Sequence, residues 1–152
     1  ESAMDSELLA ERLVDQTELL FRYGPHKQIG KSARGECFLL RCLARSKTPL
    51  LPSDLSRQLH ASTARVAVVL NALEKKGMIS RSIDPVDRRR ILVSLTDAGR
   101  EYAAAVRVQL CEGMKRLLEE LGEQDAREYL RITKRMLKIA QEDCKGGPRS
   151  AS

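Results

Sequence analysis

The 152-residue chain contains no tryptophan, two phenylalanines and three tyrosines. Its core must therefore be aliphatic, and a composition rich in Leu, Ala and Val suits packed helices. Histidine is nearly as scarce: His26 and His60 are the two present, and neither has acidic or cysteine neighbours at ligand spacing. A metal site and a histidine-assisted nucleophile both lack support, and no cofactor is expected. The four cysteines, Cys37, Cys42, Cys111 and Cys144, form no CxxC pair. Cys37, Cys42 and Cys111 read as small buried apolar groups, and Cys144, in a polar tail, as an exposed thiol. No apolar run approaches the roughly 18 residues of a membrane span. The start "ESAMDSELLAERL" is acidic where a secretion signal is basic and then apolar. The expectation is a cytoplasmic protein with no membrane partner. The stretch "GPHKQIGKS" imitates a phosphate-binding loop, but five residues separate Gly24 from Gly30 where the loop has four, and no strand precedes it.

What the chain does have is 42% hydrophobic residues, enough for one packed core and hence one domain, expected over residues 4–144. Its 27 basic residues against 21 acidic ones give a net charge of +6. That balance favours an anionic partner, and nucleic acid, an anionic membrane and plain solubility all satisfy it.

Apolar residues at helical spacing run from Leu9 to Phe21, ending where Gly24 and Pro25 stop the pattern, so residues 5–23 form a first helix. Ser32 is placed to cap a second, through about Leu43, whose "CFLLRCL" is apolar nearly all round and belongs at the centre. Pro52 opens a short third helix with Leu55 and Leu59 inward, and Ser62 caps a fourth that ends at Gly77. Two helices separated by so short a link make a helix-turn-helix. "MISRSI" and "RILVSL", joined by the polar turn "DPVDRR", read as a β-hairpin. Thr96 caps a long fifth helix with Tyr102, Val106, Leu110, Met114, Leu117, Leu118 and Leu121 on one face. Gly122 interrupts, and a sixth helix carries Tyr129, Ile132, Met136, Leu137 and Ala140. The tail from residue 145 has a disordered composition.

The fold class is therefore mainly α, a winged helix-turn-helix of six helices plus a β-hairpin wing, with the winged lobe over 33–96. The fifth helix, at 1.5 Å per residue about 35 Å long, would protrude from so small a lobe. Helices 5–23 and 97–143 are expected to form a dimerisation region, and the commonest solution is a two-fold homodimer.

On the fourth helix, Val66, Val69, Leu70 and Leu73 make the core stripe at 100° per residue. Opposite them stand Ala64, Val68, Asn71 and Lys75, with Arg65 on one shoulder. In a major groove, Ala64 and Val68 suit thymine methyls, Arg65 guanine or phosphate, and Asn71 adenine or phosphate. Ser62, Thr63 and the free amides of the first turn suit a phosphate. The same face, with its exposed valine, serves equally as a protein-binding surface.

The hairpin weighs toward an anion. Arg88, Arg89 and Arg90 repel one another at a solvated turn, and an anion would relieve them. Along an extended segment Arg88 and Arg90 point one way and Arg89 the other. Asp87 is near enough to hold one guanidinium, and an arginine so oriented fits the narrow, negative minor groove.

The run Leu55–Glu101, above all "LEKKGMI", "DPVDRR" and "VSLTDAG", resembles the winged core of the MarR family of bacterial transcription regulators. The resemblance implies a homodimer with interlocking first, fifth and sixth helices, reading a pseudo-palindromic double-stranded operator. It further implies an Asp87–Arg89 pair that places Arg89 in the minor groove, repression as the usual outcome, and release by a small aromatic ligand. In the family such ligands sit near the loop "YGPHKQIG" and the helix face of Cys37 and Arg41, and nothing in this sequence names a compound. Ala64, Ala67 and Val68 stand where members commonly carry Ser, Thr or Arg, so base readout is expected to be thin, with phosphates, Arg65 and the wing carrying affinity. The reading is a DNA-binding regulator with no enzymatic activity. Its rivals are a winged-helix protein-interaction module, and a regulator that senses oxidation through a thiol, for which Cys37 between Arg34 and Arg41 is the candidate.

Overall fold

The computed structural model describes residues 6–25, 27 and 31–146. Residues 26 and 28–30, and with them His26 and part of the phosphate-loop imitation, lie outside the described residues, as does the tail from residue 147. The elements are α1 (Ser6–Tyr23), α2 (Lys31–Arg45), α3 (Pro52–Leu59), α4 (Thr63–Lys75), β1 (Ile79–Ile83), β2 (Ile91–Leu95), α5 (Asp97–Leu121) and α6 (Glu123–Gly146). Six helices and one antiparallel hairpin in this order are the winged helix-turn-helix read from the sequence. Two ends differ. α2 already includes Lys31, so Ser32 lies inside its first turn and not at the cap, and α6 runs to Gly146, into the expected tail.

The chain divides into two compact units, Glu1–Cys111 and Glu112–Ser152, the boundary falling within α5. In the first, Leu39, Leu40, Leu55, Val66, Leu70, Leu73 and Val93 are essentially inaccessible and form the centre of the core. α2 supplies the middle of it, as its apolar run implies, although Phe38 stays 37% exposed. Along β2, Val93 and Leu95 face the core, as the two-residue repeat of a strand requires. In β1 only Ile79 is buried, because the outer half of the hairpin extends beyond the lobe.

Long-range backbone pairing fixes the hairpin. Ile79 pairs with Leu95 and Ile83 with Ile91. Leu50 exchanges two hydrogen bonds with Val93, N–H to carbonyl at 3.0 and 2.8 Å, so the Pro-bounded piece before α3 serves as a third, one-residue strand on β2. A second node joins the end of α4 to the start of α5. The Met78 N–H donates to the Leu73 carbonyl and the Gly77 N–H to that of Glu74, closing α4 with Gly77 at φ +72°. Thr96 Oγ1 donates to the Gly77 carbonyl (2.6 Å) and accepts from the Gly99 N–H (3.1 Å). A Cβ at Gly99 would collide with the Met78 carbonyl. "GMI" and "LTDAG" are thus two halves of one junction.

The second unit holds the last turns of α5 and α6, joined at Gly122, whose φ of +91° suits glycine. No residue from 112 to 144 is buried, and every residue of α1, in the first unit, is exposed.

Candidate nucleic-acid interface

The turn between α3 and α4 is built without glycine. His60 adopts the left-handed conformation at φ +50°, and its N–H donates to the Arg57 carbonyl. Ser56 Oγ donates to the Ala61 carbonyl at 2.5 Å. Ser62 then caps α4, its hydroxyl oxygen accepting from the Arg65 N–H at 3.2 Å. The hydroxyl hydrogen remains available to an acceptor outside the helix.

The outward face of α4 is solvent-accessible as its periodicity requires: Thr63, Ala64, Arg65, Ala67, Val68, Asn71 and Lys75 are all exposed, Val68 to 68%. Asn71 is not free to act alone. Its Oδ1 accepts from Arg81 Nη2 at 2.7 Å, and the same guanidinium grips Glu74, Nε to Oε2 at 2.7 Å and Nη2 to Oε1 at 3.2 Å. That bond holds the Glu74 carboxyl below, and the Arg81 guanidinium above, their ordinary pKa values. Arg81 is absent from the residues expected at the site. A faint signal existed, since an Arg two residues into the strand after the Gly77 turn comes back alongside the last turns of the helix.

At the wing tip the Asp84 N–H donates to the Arg90 carbonyl at 3.0 Å and the Arg90 N–H to the Asp87 carbonyl at 2.9 Å. Asp87 Oδ1 accepts from the Arg89 N–H (3.1 Å) and from Arg89 Nε (3.3 Å). Its Oδ2 lies 3.7 Å from Arg90 Nε. One carboxylate therefore faces two guanidinium groups. The expected alternation of Arg88, Arg89 and Arg90 does not hold, because Arg88 and Arg89 form a turn and not an extended strand. The Arg89 side chain is nonetheless 92% exposed. Its root is held by Asp87 and its end is presented to solvent.

The cysteines divide differently from expectation. Cys37 is buried, and loss of solvation, then Glu36, push its thiol above the usual range despite Arg41 and Lys76. Arg34 stands over the Phe21 ring, 5.3 Å from its centroid. The electropositive, accessible setting that a reactive thiol needs is absent at Cys37. Cys42 is half-buried with its thiol likewise raised by burial, while Cys111, expected inside, is exposed together with Cys144. Among the described residues no group of His, Cys, Asp and Glu side chains could hold a metal ion. No described helix is long and apolar enough to cross a membrane.

Comparison with known proteins matches residues 34–91 to the MarR family model. The chain is 36% identical over 84 residues to an uncharacterized HTH-type transcriptional regulator of Bacillus subtilis, YdgJ, covering 55% of this chain and about half, 51%, of that one. It is 31% identical over 107 residues to a second from that organism, YwhA, covering 68% of this chain and 72% of that one. Among solved structures, the transcriptional repressor CouR bound to a 23-mer DNA duplex superimposes with a TM-score of 0.73 at 25% identity, over 92% of this chain and 99% of that one.

Proposed function

The chain belongs to the MarR family of transcriptional regulators, a family of non-enzymes, and on that premise we propose that it is a sequence-specific DNA-binding regulator, acting as a homodimeric repressor. The observation that carries this reading is the wing tip. Asp87 orients Arg89 through both backbone and side chain while leaving the guanidinium exposed, which is the arrangement a minor-groove contact needs and a solvated loop has no use for. Arg88 and Arg90 reach phosphates beside it. On α4, Ser62, Thr63 and the first-turn amides take a phosphate, Arg65 and Lys75 a phosphate or base edge, and Ala64 and Val68 lie against thymine methyls.

The homodimer is supported by the apolar residues that α1 and α6 leave uncovered, including Leu13 (61%), Val14 (63%), Met136 (59%) and Leu137 (58%). Release by a small aromatic compound rests on the family resemblance alone. The rival protein-interaction reading keeps Val68 as its contact but gives Arg89 no task, and the buried Cys37 gives the thiol-sensing reading little support.

Anisotropy of labelled duplexes, first selected from a random or genomic pool, tests the reading. Binding should fall steeply with salt, since each neutralised phosphate adds about 0.9 to the slope of log K against log salt. A shallow slope, or no enriched duplex at all, would sink it.

A further inference from the structure

The hairpin is anchored at its base and free toward its tip. At the base, Ile79, Val93 and Leu95 are buried in the core. Toward the tip, Ile83 and Ile91 continue the same face of the hairpin, and both are exposed. Among the described residues no hydrogen bond or ion pair ties the segment 82–92 to anything outside the hairpin, since the bonds of Asp84 and Asp87 close within it. A two-stranded ribbon without a packed face is only marginally stable by itself. The direction in which it projects is therefore set at its outermost attachment.

That attachment is Arg81, opposite Val93 in the ladder. Its guanidinium donates from Nε and Nη2 to the two Glu74 oxygens, and from Nη2 to Asn71 Oδ1. Two-point engagement of a carboxylate fixes the plane of a guanidinium, where a lysine would swivel about a single point. Asn71 and Glu74 are one turn apart on α4, so the third bond holds the same guanidinium at a second place along the helix. This clip joins the wing to the last turns of the helix that carries Arg65 and Val68. Contact of α4 with one groove and of Arg89 with the next demands a fixed angle between helix and wing. An angle set before binding spares the entropy of ordering the wing on the duplex.

We propose that Arg81, anchored by Glu74 and Asn71, is a positioning residue that sets the angle of the wing to α4, so that Arg89 meets the minor groove when α4 lies in the major groove. It contributes to affinity through the wing and not by touching DNA itself. The inference rests on the DNA-binding reading above.

The test uses the charge-neutral pair Arg81→Met with Glu74→Met, made in the parent chain and in a chain whose wing is stripped by Arg88→Ala, Arg89→Ala and Arg90→Ala. Binding of a duplex selected by the parent is followed by anisotropy, at an ionic strength low enough for the stripped chain to bind. In the parent the pair should weaken binding by about fivefold, within the usual size of a coupling between interacting residues, and in the stripped chain by less than about twofold. Parent-like affinity would overturn the proposal. So would an equal loss in both chains, which would make Arg81 a DNA contact or a support of α4 alone. Should the pair not fold, Glu74→Met decides alone. Removing a negative charge from a face that meets DNA strengthens binding by charge, whereas losing the anchor weakens it through the wing, so equal or tighter binding overturns the proposal. If the parent selects no duplex, the DNA-binding reading has failed and takes this inference with it, an outcome distinct from a parent and variants that bind alike.

Discussion

The winged core and the long flanking helices treat their apolar residues in opposite ways. In the core, Leu39, Leu55, Leu73 and Val93 lose all contact with water, and the strands and helix ends around them are closed by backbone hydrogen bonds. In α1 and α6 no described residue is buried, although Leu13, Val14, Met136 and Leu137 belong to stripes spaced as regularly as the core residues. Periodicity is therefore common to both regions and burial is not. The core satisfies its own stripe within the first unit, whereas the apolar stripes of α1 and α6 stay open to solvent. Regular spacing says that a face will be covered, and it does not say by what.

The sharpest way to break this contrast is to remove the same kind of group from each region. Leu70→Ala should lower unfolding free energy by about 2–5 kcal/mol, read by denaturant titration, because it opens a cavity in a closed core. Leu13→Ala, made in parallel, should cost a small fraction of that at high dilution, where helix faces have no partner. Equal losses would show that the two regions do not differ in kind.

A charge in the exposed stripe tests its complement directly. Leu137→Asp should halve the mass seen by sedimentation at micromolar concentration, with the circular dichroism of the lobe preserved. An unchanged mass would remove α6 from any dimer interface. Within the lobe, Arg89→Ala should weaken duplex binding by about tenfold, equivalent to about 1.4 kcal/mol, with stability untouched because the side chain is 92% exposed. Parent-like affinity would end the minor-groove role of the wing. Ser62→Ala should cost about 1 kcal/mol of stability, since the Arg65 N–H loses its acceptor at the cap.

The smallest effect is one of pH. The Arg81 hydrogen bond depresses the Glu74 carboxyl, so the folded pKa lies below the unfolded one. Whatever the clip contributes is present above the unfolded carboxylate pKa and lost as pH falls through the lowered folded value. Both groups remain partly open to solvent, which screens the pair, so the loss should be slight, and Glu74→Gln should abolish it. An acid limb of the melting curve identical in parent and Glu74→Gln would place the pH dependence elsewhere.

Much of the site was legible because its causes are local. A serine before an apolar periodic run caps a helix, a glycine ends one, and Asp84-Pro85 turns a hairpin. These preferences act within one or two turns of chain and need no knowledge of the remainder. Thus the sequence by itself determined the order of helices and strands, the cap at Ser62, the stop at Gly77, the core stripe of α4 and an Asp87 placed to hold one guanidinium of the wing. Other features depend on residues that meet only after folding. The bridge from Leu50 to Val93, the seat of Gly99 against the Met78 carbonyl, the burial of Cys37 beside Glu36, and the bond from Arg81 to the Asn71 oxygen belong to this group. No pattern of spacing encodes them, because each is set by which surfaces the packed core brings within a few ångströms of one another. Tertiary structure alone decided them.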